Sequence, residues 1–214
     1  MAGRAETLEA INDLLASATI FTSTSADLLA TGLLDIAGDR LTFSQLKLLR
    51  LVQRQGTLSI GDVAGFLGVS NAAASKAVDR LVRSGVLSRA EGRGDRRTTE
   101  VTVTAEGHAL LEEFEARTSG LLLKRLAGTD LRQLRDLSGS LDRLSLSLSA
   151  GGDEEARVCF RCGLYFREDC LLRTLTDRQC YLHLGSGRRS GESLPAARRV
   201  KGGYRGRATT GGIR

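Results

Sequence analysis

Residues 59–104 read SIGDVAGFLGVSNAAASKAVDRLVRSGVLSRAEGRGDRRTTEVTVT. The apolar spacing of this stretch predicts a helix, a tight turn and a second helix, followed by two strands that are joined by a Gly/Arg tip. This order is typical of a helix-turn-helix with a β-wing, in which the second helix enters a groove of DNA. The stretch therefore predicts duplex DNA as a partner of the chain.

The first helix of this stretch is expected to begin at Ser59, because Ser is a favoured N-cap residue and Asp62 follows three positions later. One face of the helix is predicted to be apolar through Ile60, Val63, Ala64 and Leu67. Gly68 is expected to end the helix, since glycine readily adopts the left-handed conformation of a sharp turn. Val69 is expected to be buried within that turn.

The second helix is expected to follow the cap residue Ser70 and to end at Gly85. Its predicted buried stripe consists of Ala74, Ala77, Val78, Leu81 and Val82. The predicted DNA contacts of this helix are Ser70, Asn71, Ala72, Ala73, Ser75, Lys76 and Arg80. Asn and Ser hydrogen-bond to base edges and Ala contacts the thymine methyl group, whereas Lys76 and Arg80 are expected to contact phosphates.

The two strands after this helix are predicted to form a wing with a basic tip. The segment TTEVTV alternates polar residues with valine, which is the period of a half-buried strand. Arg93, Arg96 and Arg97 lie between the strands together with two glycines. Arginine is drawn to the negative potential of the minor groove, so these three side chains are predicted DNA contacts. The alternative is an ordinary solvated hairpin.

Several motifs of the stretch resemble the MarR family of bacterial transcription regulators. Asp95-Arg96-Arg97, five residues and then Val103-Thr104 are similar to the wing signature of that family, D-x-R-x5-hydrophobic-T. VSNAAASKAVDRLVRSGVLSR resembles its recognition helix, and FSQLKLLRLV, which begins at Phe43, resembles the preceding helix. The resemblance covers roughly residues 5–150 and implies a dimeric winged-helix DNA binder, usually a repressor. It also implies that Asp95 pairs with an arginine and that Arg97 reaches the minor groove.

The formal net charge of +6 is unevenly distributed along the 214 residues. Residues 185–214 contain eight basic side chains and one acidic side chain, so the rest of the chain is close to neutral. Within that rest, residues 41–104 hold ten Lys and Arg against five Asp and Glu. The positive charge therefore coincides with the predicted DNA-binding face and with the tail, which supports nucleic-acid binding.

Both ends of the central region are predicted to be helical and to dimerise. Residues 5–37 carry one apolar side, and the Thr/Ser cluster at 22–25 is expected to mark a break or bend. Residues 43–54 form a helix that is ended by Gly56, and Thr104 caps a helix that Gly128 interrupts. A heptad seam then follows, made of Leu134, Leu137, Leu141, Leu144 and Leu148. The seam is interpreted as a dimer contact, with packing inside one subunit as the alternative.

The chain is divided into five segments, and the predicted fold is mainly α-helical with a small β-wing. The segments are dimerisation helices over 1–40, a winged helix-turn-helix over 41–104, further dimerisation helices over 105–150, a cysteine module over 151–184 and a tail over 185–214. The tail is rich in glycine and poor in apolar residues, so it is predicted to be disordered. It is either a basic arm that adds nonspecific DNA affinity or an extension without a function.

All four cysteines of the chain occur within one short segment, as Cys159, Cys162, Cys170 and Cys180. Clustered thiolates in a reducing compartment favour a metal site over disulfides. C-F-R-C-G resembles a zinc knuckle, but the second half of the spacing has no matching knuckle. An iron–sulfur cluster, such as [4Fe–4S], and a zinc ion therefore both remain open, with a disulfide or free thiols as further alternatives. His183 is a possible substitute ligand.

No arrangement of residues typical of an enzyme is found, and no apolar run is long enough to cross a membrane. The start of the chain lacks a secretion signal, so a cytoplasmic location is expected. The predicted function is a homodimeric regulator that binds double-stranded DNA, with the four cysteines as a redox or metal sensor. Two alternatives are a regulator that responds to a small-molecule effector and holds structural zinc, and a redox or metal-handling protein whose winged helix contacts other proteins. An architectural DNA binder without sensing is a further possibility.

Overall fold

The computed structural model describes residues 2–92, 99–149, 159, 162–175 and 180. In this part the chain is mainly helical with one small sheet, which confirms the expected fold class at this level. The helices are α1 (Ala2–Ala37), α2 (Phe43–Gln55), α3 (Ile60–Leu67), α4 (Asn71–Arg83), α5 (Ala105–Arg125), α6 (Leu131–Ser149) and α7 (Leu171–Thr174), with a short 3₁₀ turn at Gly38–Arg40. The strands are β1 (Leu58–Ser59), β2 (Leu87–Glu91) and β3 (Thr99–Val103).

Polar caps fix the starts of the helices around the turn, as the sequence predicted. The Ser59 hydroxyl accepts a hydrogen bond from the Asp62 N–H at 3.0 Å, and the Asp62 carboxylate accepts one from the Ser59 N–H at 3.1 Å. Gly68 then ends α3 in the left-handed region with φ of 65°. The Ser70 hydroxyl in turn accepts from the Ala73 N–H at 3.2 Å and begins α4. These bonds satisfy donors that a helix start leaves free.

The sheet is antiparallel, and β3 is its central strand. Val101 of β3 pairs with Leu58 of β1 on one side and with Arg89 of β2 on the other. The side chain of Val101 is fully buried and joins a core to which α2 contributes Leu46, Leu48, Leu49, Leu51 and Val52. The sheet therefore connects the wing strands directly to the core beneath the helix-turn-helix.

Two local expectations from the sequence are wrong. The Thr/Ser cluster does not interrupt α1, because the hydroxyl of Thr22 donates a hydrogen bond to the carbonyl of Ala18 at 2.9 Å and is satisfied inside the helix. Val69 is 43% exposed rather than buried, and Phe66 of α3 occupies the core instead. The interruption predicted at Gly128 is observed, because α5 ends at Arg125 and α6 begins at Leu131.

Two helices expose apolar faces. The first part of α1 leaves Leu8, Ile11, Leu14, Leu15, Ile20 and Phe21 in solvent. The predicted heptad positions of α6, from Leu134 to Leu148, are exposed in the same way, and α6 has no buried residue. Packing of the leucine seam within one subunit is therefore not observed in the described part of the chain. No helix among the described residues is both long and apolar enough to span a membrane.

Candidate nucleic-acid interface and cysteine cluster

The helix α4 presents a polar and small-residue surface to solvent. Ala74, Val78 and Leu81 are fully buried and hold one face of the helix against the core. The other face carries six of the predicted DNA contacts as exposed residues, namely Ser70, Asn71, Ala72, Ala73, Lys76 and Arg80. Because the first turn has only short side chains, its backbone can approach base edges closely. Six of the seven residues predicted on this helix thus share one accessible surface.

Ser75 is the seventh of these residues, and it is half-buried. The guanidinium of Arg89, on β2, donates a hydrogen bond to the Ser75 hydroxyl at 3.3 Å. Arg89 also forms an ion pair with Asp79 of α4. Sequence reasoning missed this role of Arg89, because it depends on the position of β2 beside α4. Ser75 is therefore engaged within the protein as well as placed near the candidate interface.

The wing strands hold the base of the predicted basic tip. Their register runs from Leu87 opposite Val103 to Glu91 opposite Thr99. The hydroxyls of Ser88 and Thr102 are 2.8 Å apart across the strands. The tip residues Arg93, Asp95, Arg96 and Arg97 lie outside the described residues, so their predicted roles stay predictions.

The four cysteines lie near one another. Cys159 and Cys180 pair in an isolated parallel bridge of the backbone, and all four are free thiols. Surrounding protein atoms raise the pKa of Cys162 even though the residue is exposed, and the thiols of Cys180, Cys159 and Cys170 raise it further. The backbone bridge brings Cys159 and Cys180 together, and the effects on Cys162 indicate that the other thiols lie in its vicinity.

This proximity does not amount to a ready metal site. Within the described residues, no group of three or more His, Cys, Asp or Glu side chains is arranged to hold a metal ion. The donor set of four thiols suits zinc or an iron–sulfur cluster chemically. The predicted metal site at these cysteines therefore remains a prediction, and His183 lies outside the described residues.

The winged-helix region matches a known family. Residues 41–99 match the model of the MarR family. The chain is 34% identical over 64 residues to YfiV of Bacillus subtilis, named as an HTH-type transcriptional regulator. That alignment covers 30% of this chain and 40% of YfiV, so the chain spans less than half the length of this relative. The expectation that the chain is not an enzyme agrees with these relatives, which are transcriptional regulators.

Solved structures show the same fold. A mutant of MarR from E. coli in complex with operator DNA aligns with a TM-score of 0.51 and 21% identity, covering 63% of this chain and 94% of that one. FabT of Streptococcus pneumoniae, also in complex with DNA, aligns with a TM-score of 0.54 and 17% identity, covering 65% and 96%. The arrangement of helices and wing is therefore that of these proteins.

Proposed function

We propose that the chain is a sequence-specific DNA-binding transcriptional regulator, since its residues 41–99 match the model of the MarR family. The observation that carries the proposal is the division of α4 into a buried face and an exposed face. Asn71 and Lys76 lie on the exposed face, whereas Val78 is fully buried on the other. A helix held in this way by a helix-turn-helix is positioned to enter the major groove.

Repression is the mode of regulation that we propose. A protein that covers an operator blocks the access of other proteins to that DNA. Repression of this kind needs no interaction surface other than the one that binds DNA. The resemblance of the wing and recognition helix to MarR regulators also favours a repressor.

A duplex-DNA binding assay at several salt concentrations tests the DNA-binding proposal. The logarithm of affinity should fall steeply with the logarithm of salt concentration, because Lys and Arg side chains displace counterions from phosphates. The probe is duplex DNA that the protein itself selects from a random-sequence pool. Binding that shows no sequence preference in this selection would contradict the proposal of a sequence-specific regulator.

We further propose that the active form is a homodimer. The exposed apolar faces of α1 and α6 offer two long helical surfaces whose burial against a second copy would remove apolar side chains from water. The leucines of α6 repeat at the 3.5-residue spacing of paired helices. A twofold dimer also presents two recognition helices to two half-sites of a long operator.

Substitution of a seam leucine tests the dimer. Leu141→Asp places a carboxylate in the middle of the leucine face, and the particle mass in light scattering should fall from dimer to monomer. Arg132→Asp places a carboxylate on the opposite side of α6 and serves as the matched control. A dimer that survives Leu141→Asp would show that the leucine seam is not the interface.

The four cysteines are proposed as a redox or metal sensor of this regulator. Cys159, Cys162, Cys170 and Cys180 supply thiolates that can bind zinc or an iron–sulfur cluster, or can be oxidised. Protein purified without oxygen should be tested by metal analysis and by its visible absorption spectrum. Bound iron with broad visible absorption identifies a cluster, and colourless protein with zinc identifies a zinc site. Protein with neither metal would contradict metal sensing.

A small-molecule effector is a second candidate signal, and one observation favours it. A cleft of about 140 Å³ lies between α2, α5 and the segment after Cys162. Its lining includes Arg50, Phe114 and Tyr165, which offer a charge, an apolar ring and a hydroxyl. A compound that binds there should protect Tyr165 from chemical modification and should change the affinity for DNA.

A further inference from the structure

Residues 163–167 follow Cys162 directly, and Leu164 and Tyr165 line the cleft beside α5. The segment also contacts two further helices that lie in different parts of the fold. It touches α2, which supports the helix-turn-helix, and α6, which carries the leucine seam. We call this segment the 163–167 bridge.

On the α2 side, the bridge packs tightly against the helix surface. Gly163 is buried with φ of 60°, and a Cβ at this position would be 3.6 Å from Cε of Lys47. Leu164 is only 9% exposed and belongs to the hydrophobic core. The guanidinium carbon of Arg54 lies 5.5 Å from the centre of the Phe166 ring, which is cation–π distance. The bridge is therefore attached to the core through Leu164 and to α2 through the contact between Phe166 and Arg54.

On the α6 side, the attachment is polar. Arg167 forms an ion pair with Asp142 and donates a hydrogen bond to the Ser138 hydroxyl at 3.1 Å. Ser138, Asp142 and Leu146 recur every four residues and are half-buried, so they form one stripe of α6. This stripe lies beside the exposed leucine seam and not within it, because Ser138 is four residues after Leu134 and three before Leu141. The bridge can thus hold α6 while the seam remains available.

The cysteines are directly connected to the bridge. Cys162 immediately precedes it, and Cys170 is the residue before α7, which packs against α6. The hydrogen bond that Arg167 donates to the Asp142 carboxylate raises the pKa of Arg167, and the thiols of Cys170 and Cys162 add a smaller effect in the same direction. Arg167 thus lies in the short segment between Cys162 and Cys170 and contacts α6 directly. A rearrangement of the thiols would displace the side chains that hold the two helices.

We propose that the 163–167 bridge ties α2 to α6 and that the state of the four cysteines sets its position. The position of α6 relative to α2 would then follow the cysteines through direct side-chain contacts. This inference rests on the proposed function for its effect on DNA. In a dimer joined through α6, a shift of this kind changes the separation of the two recognition helices. That separation must match one turn of DNA, near 34 Å, for both half-sites to be bound.

Amide hydrogen exchange on the full chain tests the bridge. Arg167→Ala removes the contacts to Asp142 and Ser138, and the amides of α6 should exchange about two- to fivefold faster, because the ion pair is partly exposed. Arg143→Ala also removes one positive charge, but Arg143 lies within α6 and its side chain bonds only to Ser140 of the same helix. It is therefore the matched control. It should leave exchange in the first half of α6 unchanged.

Cys162→Ser tests the link from the cysteines to the bridge. It should accelerate exchange in both α2 and α6, whereas exchange in α3 should remain that of the parent chain. If Cys162→Ser folds and leaves α2 and α6 unchanged, the cysteines do not set the position of the bridge. If Arg167→Ala behaves like Arg143→Ala, the bridge does not hold α6. Should Cys162→Ser fail to fold, oxidation of the parent chain with diamide provides the same comparison.

Binding to the selected duplex DNA separates this inference from the proposed function. Diamide oxidation should change the affinity of the parent and of Arg143→Ala by about 5- to 150-fold. Arg167→Ala should respond less than twofold, because its bridge is already released from α6. A full response in Arg167→Ala overturns the inference while DNA binding stands. A chain that binds no duplex DNA overturns the proposed function, and hydrogen exchange still decides the bridge.

Discussion

Arg89 on β2 forms an ion pair with Asp79 on α4, and the same guanidinium donates a hydrogen bond to the hydroxyl of Ser75. The contact joins the first strand of the wing to the middle of the recognition helix. It therefore fixes the angle between the two elements that are proposed to contact DNA. Side chains of Arg89 and Asp79 are 30% and 43% exposed, so the pair is expected to add little to overall stability.

Arg89→Ala should weaken binding to the selected DNA more than it weakens folding. The angle between the wing and α4 would no longer be held by this ion pair. The free energy of unfolding should fall by no more than about 1 kcal/mol. Denaturant titration and DNA binding measure the two effects. Arg125→Ala, at the end of α5, is the control for loss of one positive charge. A double-mutant cycle with Asp79→Ala should show coupling in DNA affinity, and simple additivity would show that the pair has no orienting role.

Asn71 and Lys76 should affect DNA binding in different ways. Asn71→Ala should change the sequence that is selected from a random pool, because an amide side chain reads base edges. Lys76→Ala should keep the preferred sequence, weaken binding to all duplexes and reduce the salt slope by about one. Selection and salt titration on both variants provide the measurement. Identical preferred sites for Asn71→Ala and the parent would show that Asn71 does not read a base.

Arg97 is predicted to contact the minor groove from the wing tip. Arg97→Ala should weaken binding by about 1–3 kcal/mol, and folding and dimerisation should remain those of the parent chain. Fluorescence anisotropy with labelled duplex DNA measures the loss, and circular dichroism and light scattering check the fold and the dimer. Parent-like affinity in a folded Arg97→Ala dimer would remove this arginine from the mechanism.

The sequence was sufficient to predict elements that depend on local chemistry. The starts of α3 and α4 at Ser59 and Ser70 and the left-handed Gly68 follow from caps and turns that act over a few residues. The buried and exposed faces of α4 could be predicted because a helical stripe has a fixed period. Val69 was predicted wrongly, since apolar character alone does not decide whether Phe66 or Val69 enters the core.

Contacts between distant segments could not be read from the sequence. The pairing of Arg89 with Asp79 depends on the sheet register, and that of Arg167 with Asp142 depends on where the cysteine segment docks. The continuity of α1 through the Thr/Ser cluster was also missed, because a hydroxyl that bonds back to the helix removes the expected interruption.

Gly107 is a position where the fold requires glycine. A Cβ added there would lie 2.3 Å from the carbonyl oxygen of Val86, so the backbone must shift. Gly107→Ala should lower the free energy of unfolding by about 1–3 kcal/mol, the usual effect of forcing atoms into a packed interior. Gly120→Ala lies in the same helix with nothing within 4 Å and is the control. Gly120→Ala should be neutral or stabilising by up to about 1 kcal/mol. Urea titrations measure both changes, and equal effects would contradict the close approach of position 107 to the carbonyl of Val86.

The pKa of the Cys162 thiol should lie above its ordinary value in the folded, reduced and metal-free chain. Burial raises its pKa from 9.0, and the neighbouring thiols of Cys180 and Cys159 raise it further. Iodoacetamide reacts with the thiolate, so alkylation at this residue should be slow near neutral pH and should reach its midpoint above pH 9.0. The same residue in urea-unfolded chain is the control.

Because the pKa of Cys162 is higher in the folded chain than in the unfolded chain, ionisation of this thiol costs more free energy in the folded state. The free energy of unfolding should therefore fall as pH rises from the unfolded pKa through the folded pKa. A folded midpoint at or below the unfolded one, measured residue by residue with mass spectrometry, would show that the four thiols do not converge.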